Sequence, residues 1–337
     1  MTYCLGIEST AHTFGVAIVD DKGVVLSNTR KLFTTEKGGL IPAKLSDHHA
    51  DICDQILKKS ILDSGISISD VDIISFSQSP GIGHSLRIGA VLARSLSLLL
   101  DKPLVGVNHC VAHLEIGRLK AKNKDDSSAV CDDPILLYAS GANTQVIGYE
   151  GKKYRIFGET LDNGIGNFLD AFARELGLGF PGGPKIESLA AQSKNYIPLP
   201  YSVKGMDVSF GGLLTKLKQM IASKKYSKED LCFSVQETVF AMLLEVSERA
   251  LAHTGKTQLV LGGGVACNSR LQEMSHKMCI DRGASSFVLT NEFNVDNAAM
   301  IAWTAFLQFN SGQTLKISDA FIHPYERTDD VIVSWRD

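Results

Sequence analysis

The 337-residue sequence is poor in several features, and each shortage excludes a class of function. Its charges nearly cancel, with 34 Lys and Arg against 37 Asp and Glu, a net of −3. No global positive field advertises a polyanion partner, so a nucleic acid must meet a local patch or arrive with another subunit. A hydrophobic fraction of 44% with so little net charge excludes wholesale disorder. The longest apolar run, residues 89–100, carries Arg94 and is too short for a bilayer, so no membrane role is expected. The opening residues lack the basic and then apolar regions of a signal peptide. The seven cysteines are scattered and form no C-x-x-C pair, a pattern that fits a reducing compartment. The expectation is a cytoplasmic protein of about two domains.

What is present reads as one order of elements used twice. Extended segments at 3–8, 14–19 and 24–29 are separated by turns such as Asp20-Asp21-Lys22-Gly23. A helical stretch follows with Leu45, Ile52, Ile56 and Leu57 at three- and four-residue spacings. Then come a strand at 71–77, a helix at 85–99 and a strand at 104–107. A second trio of strands (135–139, 144–149, 154–158) precedes helices at 168–176 and 230–252. Strand 258–261, helix 269–278, strand 286–289 and helix 295–309 complete the pattern. The expected organisation is an N-terminal lobe at 1–132, completed by 295–337, and a second lobe at 133–294. Residues 120–133 read as a solvated connection. The Pro- and Gly-rich stretch 180–213 fits no single element and is a candidate substrate wall.

Several motifs carry chemistry. In Asn108-His109-Cys110-Val111-Ala112-His113, two imidazoles stand four apart, close enough on a helix to share one metal ion. Taken alone, such a pair is more often one capping and one packed histidine. Zinc-protease chemistry is unsupported, because Cys110 stands where H-E-x-x-H needs its glutamate. Asp296 is a candidate third ligand, or the cap of a helix beginning near it. The turn Tyr138-Ala139-Ser140-Gly141-Ala142-Asn143-Thr144 offers donors to phosphate oxygens, and Glu8-Ser9-Thr10-Ala11-His12 is its counterpart in the first lobe. Gly262-Gly263-Gly264, before Asn268, is either a bare backbone surface for a nucleoside or an exposed turn. It is neither a Walker A loop nor a G-x-G-x-x-G fingerprint. Asp170, Glu187 and Asp207 flank Pro181-Gly182-Gly183-Pro184, where a carboxylate could accept from ribose hydroxyls or sit on a solvated face.

Together these residues resemble the TsaD family of tRNA threonylcarbamoyladenosine-forming transferases, its archaeal and eukaryotic branch above all. The resemblance runs through Gly6-Ile7-Glu8-Ser9-Thr10-Ala11, Ser79-Pro80-Gly81-Ile82-Gly83 with Leu86-Arg87, Val107 to His113, and Tyr138 to Gln145. It continues in Gly158-Glu159-Thr160-Leu161-Asp162 with Gly166-Asn167, Pro181 to Pro184, Ser202 to Met206, Gly262 to Ala266 with Asn268, and Asp296-Asn297-Ala298. It implies an α/β, two-lobed actin/sugar-kinase/heat-shock-chaperone (ASKHA) fold with duplicated RNase H-like lobes. His109, His113, Asp296 and Tyr138 are then expected to hold one divalent ion, iron before zinc or magnesium. Tyr138, Ala139, Ser140, Gly141, Ala142, Asp170, Gly183, Glu187 and Asn268 are expected to contact threonylcarbamoyl-AMP, and the same cleft could admit ATP. Ala142 departs from a usual Ser-Gly-Gly turn, and Gly211 from a common serine.

The activity so implied is transfer of the threonylcarbamoyl group to N6 of adenosine 37 in tRNAs reading ANN codons. The donor is already activated, which matches the lack of any Ser-His-Asp or Cys-His arrangement. Partners implied by the resemblance are tRNA and KEOPS-type subunits, including an atypical small protein kinase and a dimerising subunit. The alternatives are a small-molecule kinase or ATPase on the same fold, with Glu8 at the strand end where kinases often use Asp, another carbamoyltransferase, or a silent scaffold. Lys216, Lys218, Lys224, Lys225 and Lys228 form a basic stretch that reads first as a solvated helix face.

Overall fold

Short apolar segments alternating with tight polar turns make the first three strands, β1 (Tyr3–Glu8), β2 (Thr13–Asp20) and β3 (Val25–Leu32). Asp20 accepts from the Lys22 and Val24 amides at 2.9 and 2.8 Å, and Gly23 supplies φ +74° for the turn between β2 and β3. The computed structural model describes residues 1–34 and 41–336. Next come α1 (Pro42–Ser64), β4 (Ile73–Ser79), α2 (Gly83–Leu100), β5 (Leu104–Asn108) and α3 (His109–Lys120). The sheet order is β3-β2-β1-β4-β5, antiparallel through β1 and parallel from β1 to β5. Parallel pairing requires the crossover helix α2 between β4 and β5. Leu5, Ile7, Phe14, Ile18, Ile74 and Phe76 are fully buried, as expected of strands covered on both faces.

The second half repeats the plan. Its strands are β6 (Lys122–Asn123), β7 (Ile135–Ala139), β8 (Thr144–Glu150) and β9 (Lys153–Glu159). Helices α4 (Ile165–Glu175) and α5 (Gly183–Ala190) follow, then the hairpin β10 (Val203–Lys204) and β11 (Asp207–Val208). After α6 (Gly211–Ser223) and α7 (Lys228–Thr254) come β12 (Gln258–Gly262), α8 (Ser269–Arg282), β13 (Ser285–Val288) and α9 (Asn291–Asn294). The sheet order β6-β13-β12-β7-β8-β9 reproduces that of the first sheet, with β6 added antiparallel at one edge. α7, almost wholly apolar along one side, is the spine of this core, with Val235, Val239, Leu243 and Leu251 buried.

The last helix, α10 (Ala298–Asn310), packs on β1, β2 and β4, back in the first half. It begins three residues later than the sequence pattern suggests, because the Asn297 side chain accepts from the Met300 amide and caps it. The chain thus divides into two compact units, one of residues 1–119, 151–154 and 296–337, the other of 120–150 and 155–295. Lys122 and Asn123, expected in a solvated connection, instead pair with Val288 and Phe287. The stretch 180–213 is not structureless. Pro184 lies in the first turn of α5, where its missing N–H costs nothing. Among the described residues no helix is long and apolar enough to cross a membrane.

Candidate active site

Two features of the first unit bring distant residues together. Asn108, at the end of β5, turns its side chain to accept from the Cys110 and Val111 amides at 3.0 and 3.2 Å, so α3 starts immediately with His109. One turn later His113 shares the same face, with ring centroids 4.8 Å apart and planes at 81°. The second feature is Gly6. A Cβ there would lie 2.5 Å from the Ala298 oxygen and 2.6 Å from the Ala302 nitrogen, so only glycine lets α10 lie this close on β1. Asp296, just before that helix, is thereby held over α3. Its Oδ1 lies 3.4 Å from His109 Nε2 and 3.6 Å from His113 Nε2.

The three donor atoms lie within 4.8 Å of one another, with both histidines buried and Asp296 part-buried. Burial keeps the His113 imidazole below its ordinary pKa, so it stays neutral and its lone pair is available. Burial also opposes ionisation of Asp296, but the hydrogen bonds of His109 and His113, with the charges of His109 and His12, outweigh it and hold the carboxyl well below the usual range. Two imidazole nitrogens and one ionised carboxylate oxygen in a largely buried setting fit a borderline divalent ion. The capping role considered for Asp296 falls to Asn297. Glu8, at the end of β1, adds a fourth group. Its Oε2 is 2.9 Å from His109 Nδ1, the ring nitrogen opposite the one facing Asp296.

In the second unit the candidate substrate residues sit at the carboxyl ends of β7 and β12, the usual place for ligands of α/β sheets. Tyr138 and Ala139 are buried in β7. The turn after them is tightly held: the Ser140 amide donates to the Asn143 oxygen (2.9 Å), and Gly166 and Asn167 donate to the Ser140 and Gly141 oxygens (3.0 and 2.9 Å). The start of α4 lies so close that a Cβ on Gly164 would meet the Gly141 oxygen at 2.4 Å. Gly141 and Ala142 are exposed at the crest. Ala142 is absent from the residues with positive φ, so its methyl is accommodated without strain.

A continuous wall adjoins this turn. Asp170 Oδ1 accepts from the Gly182 amide at 2.7 Å and fixes the entry to α5, whose first residue, Gly183, faces open space. Glu187, one turn along α5, accepts from the Ser269 amide at 2.8 Å and from its hydroxyl. Asn268 caps α8 through Oδ1, to the Arg270 and Leu271 amides, and donates to Gln236. Of the three successive glycines, Gly263 has φ +91°, and a Cβ on it would meet the Ala139 oxygen at 2.4 Å, so close backbone packing dictates it. Asp207 is turned elsewhere, to the Glu159 amide at 3.0 Å.

Residues 24–303 match the family model described as TsaD: tRNA N6-adenosine threonylcarbamoyltransferase. The chain belongs to the TsaD family. It is 51% identical over 331 residues to the tRNA N6-adenosine threonylcarbamoyltransferase of Thermococcus kodakarensis, covering 98% of this chain and 99% of that one. A probable bifunctional tRNA threonylcarbamoyladenosine biosynthesis protein of Methanosarcina mazei is 50% identical over 337 residues, 99% of this chain and 60% of that protein. Among solved structures, T. kodakarensis HypF superposes with TM-score 0.62 at 14% identity, over 92% of this chain and 48% of that one. An activator of the 2-hydroxyisocaproyl-CoA dehydratase from Clostridium difficile gives TM-score 0.51 at 13% identity, over 93% and 96%. These likenesses establish the fold as the ASKHA class, in agreement with the two sheets of equivalent strand order.

For this TsaD chain the sequence overlooked two things. The sequence groups Glu8 and Thr10 with a turn equivalent to the donor-rich one after β7, yet the Thr10 amide and hydroxyl both donate to Glu8 Oε1 and are consumed there. A fully buried carboxylate ending an apolar strand was the available signal. Asp162 is the second. Its carboxylate accepts from the Phe210 and Gly211 amides and from Ser209 Oγ; burial resists ionisation, but these bonds hold it down to about 2. Gly211 makes this possible, since a Cβ there would be 2.9 Å from Asp162 Oδ2. The basic residues on and after α6 are exposed, with Lys218 3.1 Å from Glu175 and Lys228 donating to the Leu176 oxygen.

Proposed function

We propose that this chain transfers the threonylcarbamoyl group from threonylcarbamoyl-AMP to N6 of adenosine 37 in tRNAs reading ANN codons. Membership of the TsaD family supports the reaction, and the meeting of His109, His113 and Asp296 is the observation that carries it. In the reaction N6 attacks the carbamoyl carbonyl, the bond from that carbon to the phosphate oxygen breaks, AMP leaves and N6 releases one proton. The donor is a mixed anhydride, so position and charge stabilisation suffice and no nucleophilic side chain is required.

His109, His113 and Asp296 would hold the divalent ion, iron by preference. When bound, that ion supplies Lewis-acid stabilisation to donor oxygens. In the second unit the exposed amides of Gly141 and Ala142 are suited to phosphate oxygens, and the rigid packing of their turn against α4 means little reorganisation is needed. Asp170, Gly183, Glu187 and Asn268 form the wall along which we place the nucleoside, with glycine at Gly183 leaving room for it. tRNA binding in the cytoplasm, completed by an atypical small protein kinase and a dimerising subunit, fits the net charge of −3.

The test is incubation of the purified chain, with and without such partners, with threonylcarbamoyl-adenylate and unmodified tRNA, followed by nucleoside analysis. Threonylcarbamoyladenosine should appear, and His109→Ala should abolish it. Full transfer by metal-depleted protein, or by the His109→Ala variant, overturns the assignment.

A further inference from the structure

We infer that Glu8 is a positioning residue of the metal site: it fixes the proton of His109 on Nδ1 and so directs the Nε2 lone pair to the point shared by His113 and Asp296. The inference rests on the metal reading above and adds a residue to it. Four observations carry it. Glu8 is fully buried at the end of β1, and its Oε2 lies 2.9 Å from His109 Nδ1. An ionised carboxylate only accepts, so the proton of that bond belongs to the ring. The other oxygen, Oε1, is pinned by the Thr10 amide at 2.7 Å and by the Thr10 hydroxyl, which leaves Oε2 aimed at the ring. Thr10 Oγ1 is also 3.3 Å from Nδ1, but its proton is given to Glu8, so towards the histidine it offers only lone pairs.

With Nδ1 protonated from this side, His109 can ligate only through Nε2, the nitrogen 3.4 Å from Asp296. A carboxylate behind a ligating histidine fixes ring orientation and raises ligand basicity, and its loss typically weakens metal affinity about 10–100-fold.

The experiment uses metal-free full-length chain and zinc as probe. Zinc Kd is measured by competition with a chromophoric chelator for the unaltered chain, Glu8→Gln and Glu8→Ala. In parallel, long-range 15N–1H spectra of histidine-labelled protein report which nitrogen of His109 carries the proton. The expected result is a protected Nδ1–H on His109 in the unaltered chain, its loss or migration to Nε2 in metal-free Glu8→Ala, and a Kd weaker by about 10–100-fold in both variants. If the unaltered chain binds zinc and both variants bind it equally well, the inference about Glu8 falls while the metal reading stands. No zinc binding by the unaltered chain overturns both. An unprotonated Nδ1 in the unaltered chain overturns the inference even where the variants fail to fold.

Discussion

Gly6→Ala is the substitution that most directly joins the fold to the chemistry. The added Cβ would lie 2.5 Å from the Ala298 oxygen, 2.6 Å from the Ala302 nitrogen and 3.0 Å from the Ala302 Cα. Ordinary Cβ contacts begin at 3.4 Å, so β1 and α10 must part by about 0.9 Å. All three obstructing atoms are backbone, and no rotamer change relieves them. Overpacking of this kind costs about 1–3 kcal/mol, and the upper part of that range applies where backbone meets backbone. Whichever element yields, a metal-site group goes with it: Asp296 leads directly into α10, and Glu8 ends β1. The urea midpoint of the metal-free chain should therefore fall, and zinc affinity should weaken roughly tenfold. Trimming Ala302 to Gly in the same chain should restore neither, because the clashing atoms remain. An unchanged midpoint together with unchanged zinc affinity would refute the claim that this approach sets the site.

Two further outcomes follow from buried groups and tight turns. His49 is fully buried, its Nε2–H donates to the Ala11 oxygen at 2.9 Å, and burial holds its imidazole down to about 4. Between pH 6.5 and 4 the unfolded chain binds this proton and the folded chain does not, so stability is lost as pH falls through that window, by up to about 3 kcal/mol. His49→Gln should flatten the dependence of the urea midpoint on pH there; an unaltered slope contradicts the assignment. Gly263→Ala meets both a forbidden φ of +91° and the Ala139 oxygen at 2.4 Å, and should cost more than about 3 kcal/mol. Gly264→Ala, with nothing within 4 Å, should stay within about 0.5 kcal/mol, so equal effects would show that packing against β7 is not what demands the glycine.

How much of this could be read in advance depends on how local the cause is. The strand trios were legible, because alternating apolar residues and Asp- or Gly-rich turns act within a few residues. Both sheets follow the same order, since each trio leaves an edge for parallel strands to join. The spacing of His109 and His113 was legible too, but their helix was conditional until Asn108 was seen capping it. Asp296 could be named and not placed, because its position depends on α10 crossing β1 at Gly6, a contact that no periodicity encodes. The stretch 180–213 looked irregular because its prolines hid short elements. Gly183-Pro184 opens a helix whose apolar positions, Ile186 and Ala190, are four apart and buried.

The misreading of the first-unit turn shows why topology and chemistry part company here. The β1–β2 and β7–β8 turns occupy equivalent places in the two sheets, and both are rich in small polar residues. In the second, Gly141 and Ala142 are exposed while neighbouring groups satisfy one another, so donors remain available at the crest. In the first, the preceding strand ends in Glu8, and a buried carboxylate must be satisfied by the nearest donors. The Thr10 amide and hydroxyl are two residues away and both turn inward to it. A turn that spends its donors on a fixed negative charge is a poor cradle for phosphate, since the oxyanion would lose those bonds and meet a like charge. The same carboxylate is well suited to hold a histidine. One glutamate at the end of one strand therefore turns the donors of its turn inward and offers an acceptor to His109, while the strand order of the two sheets stays the same.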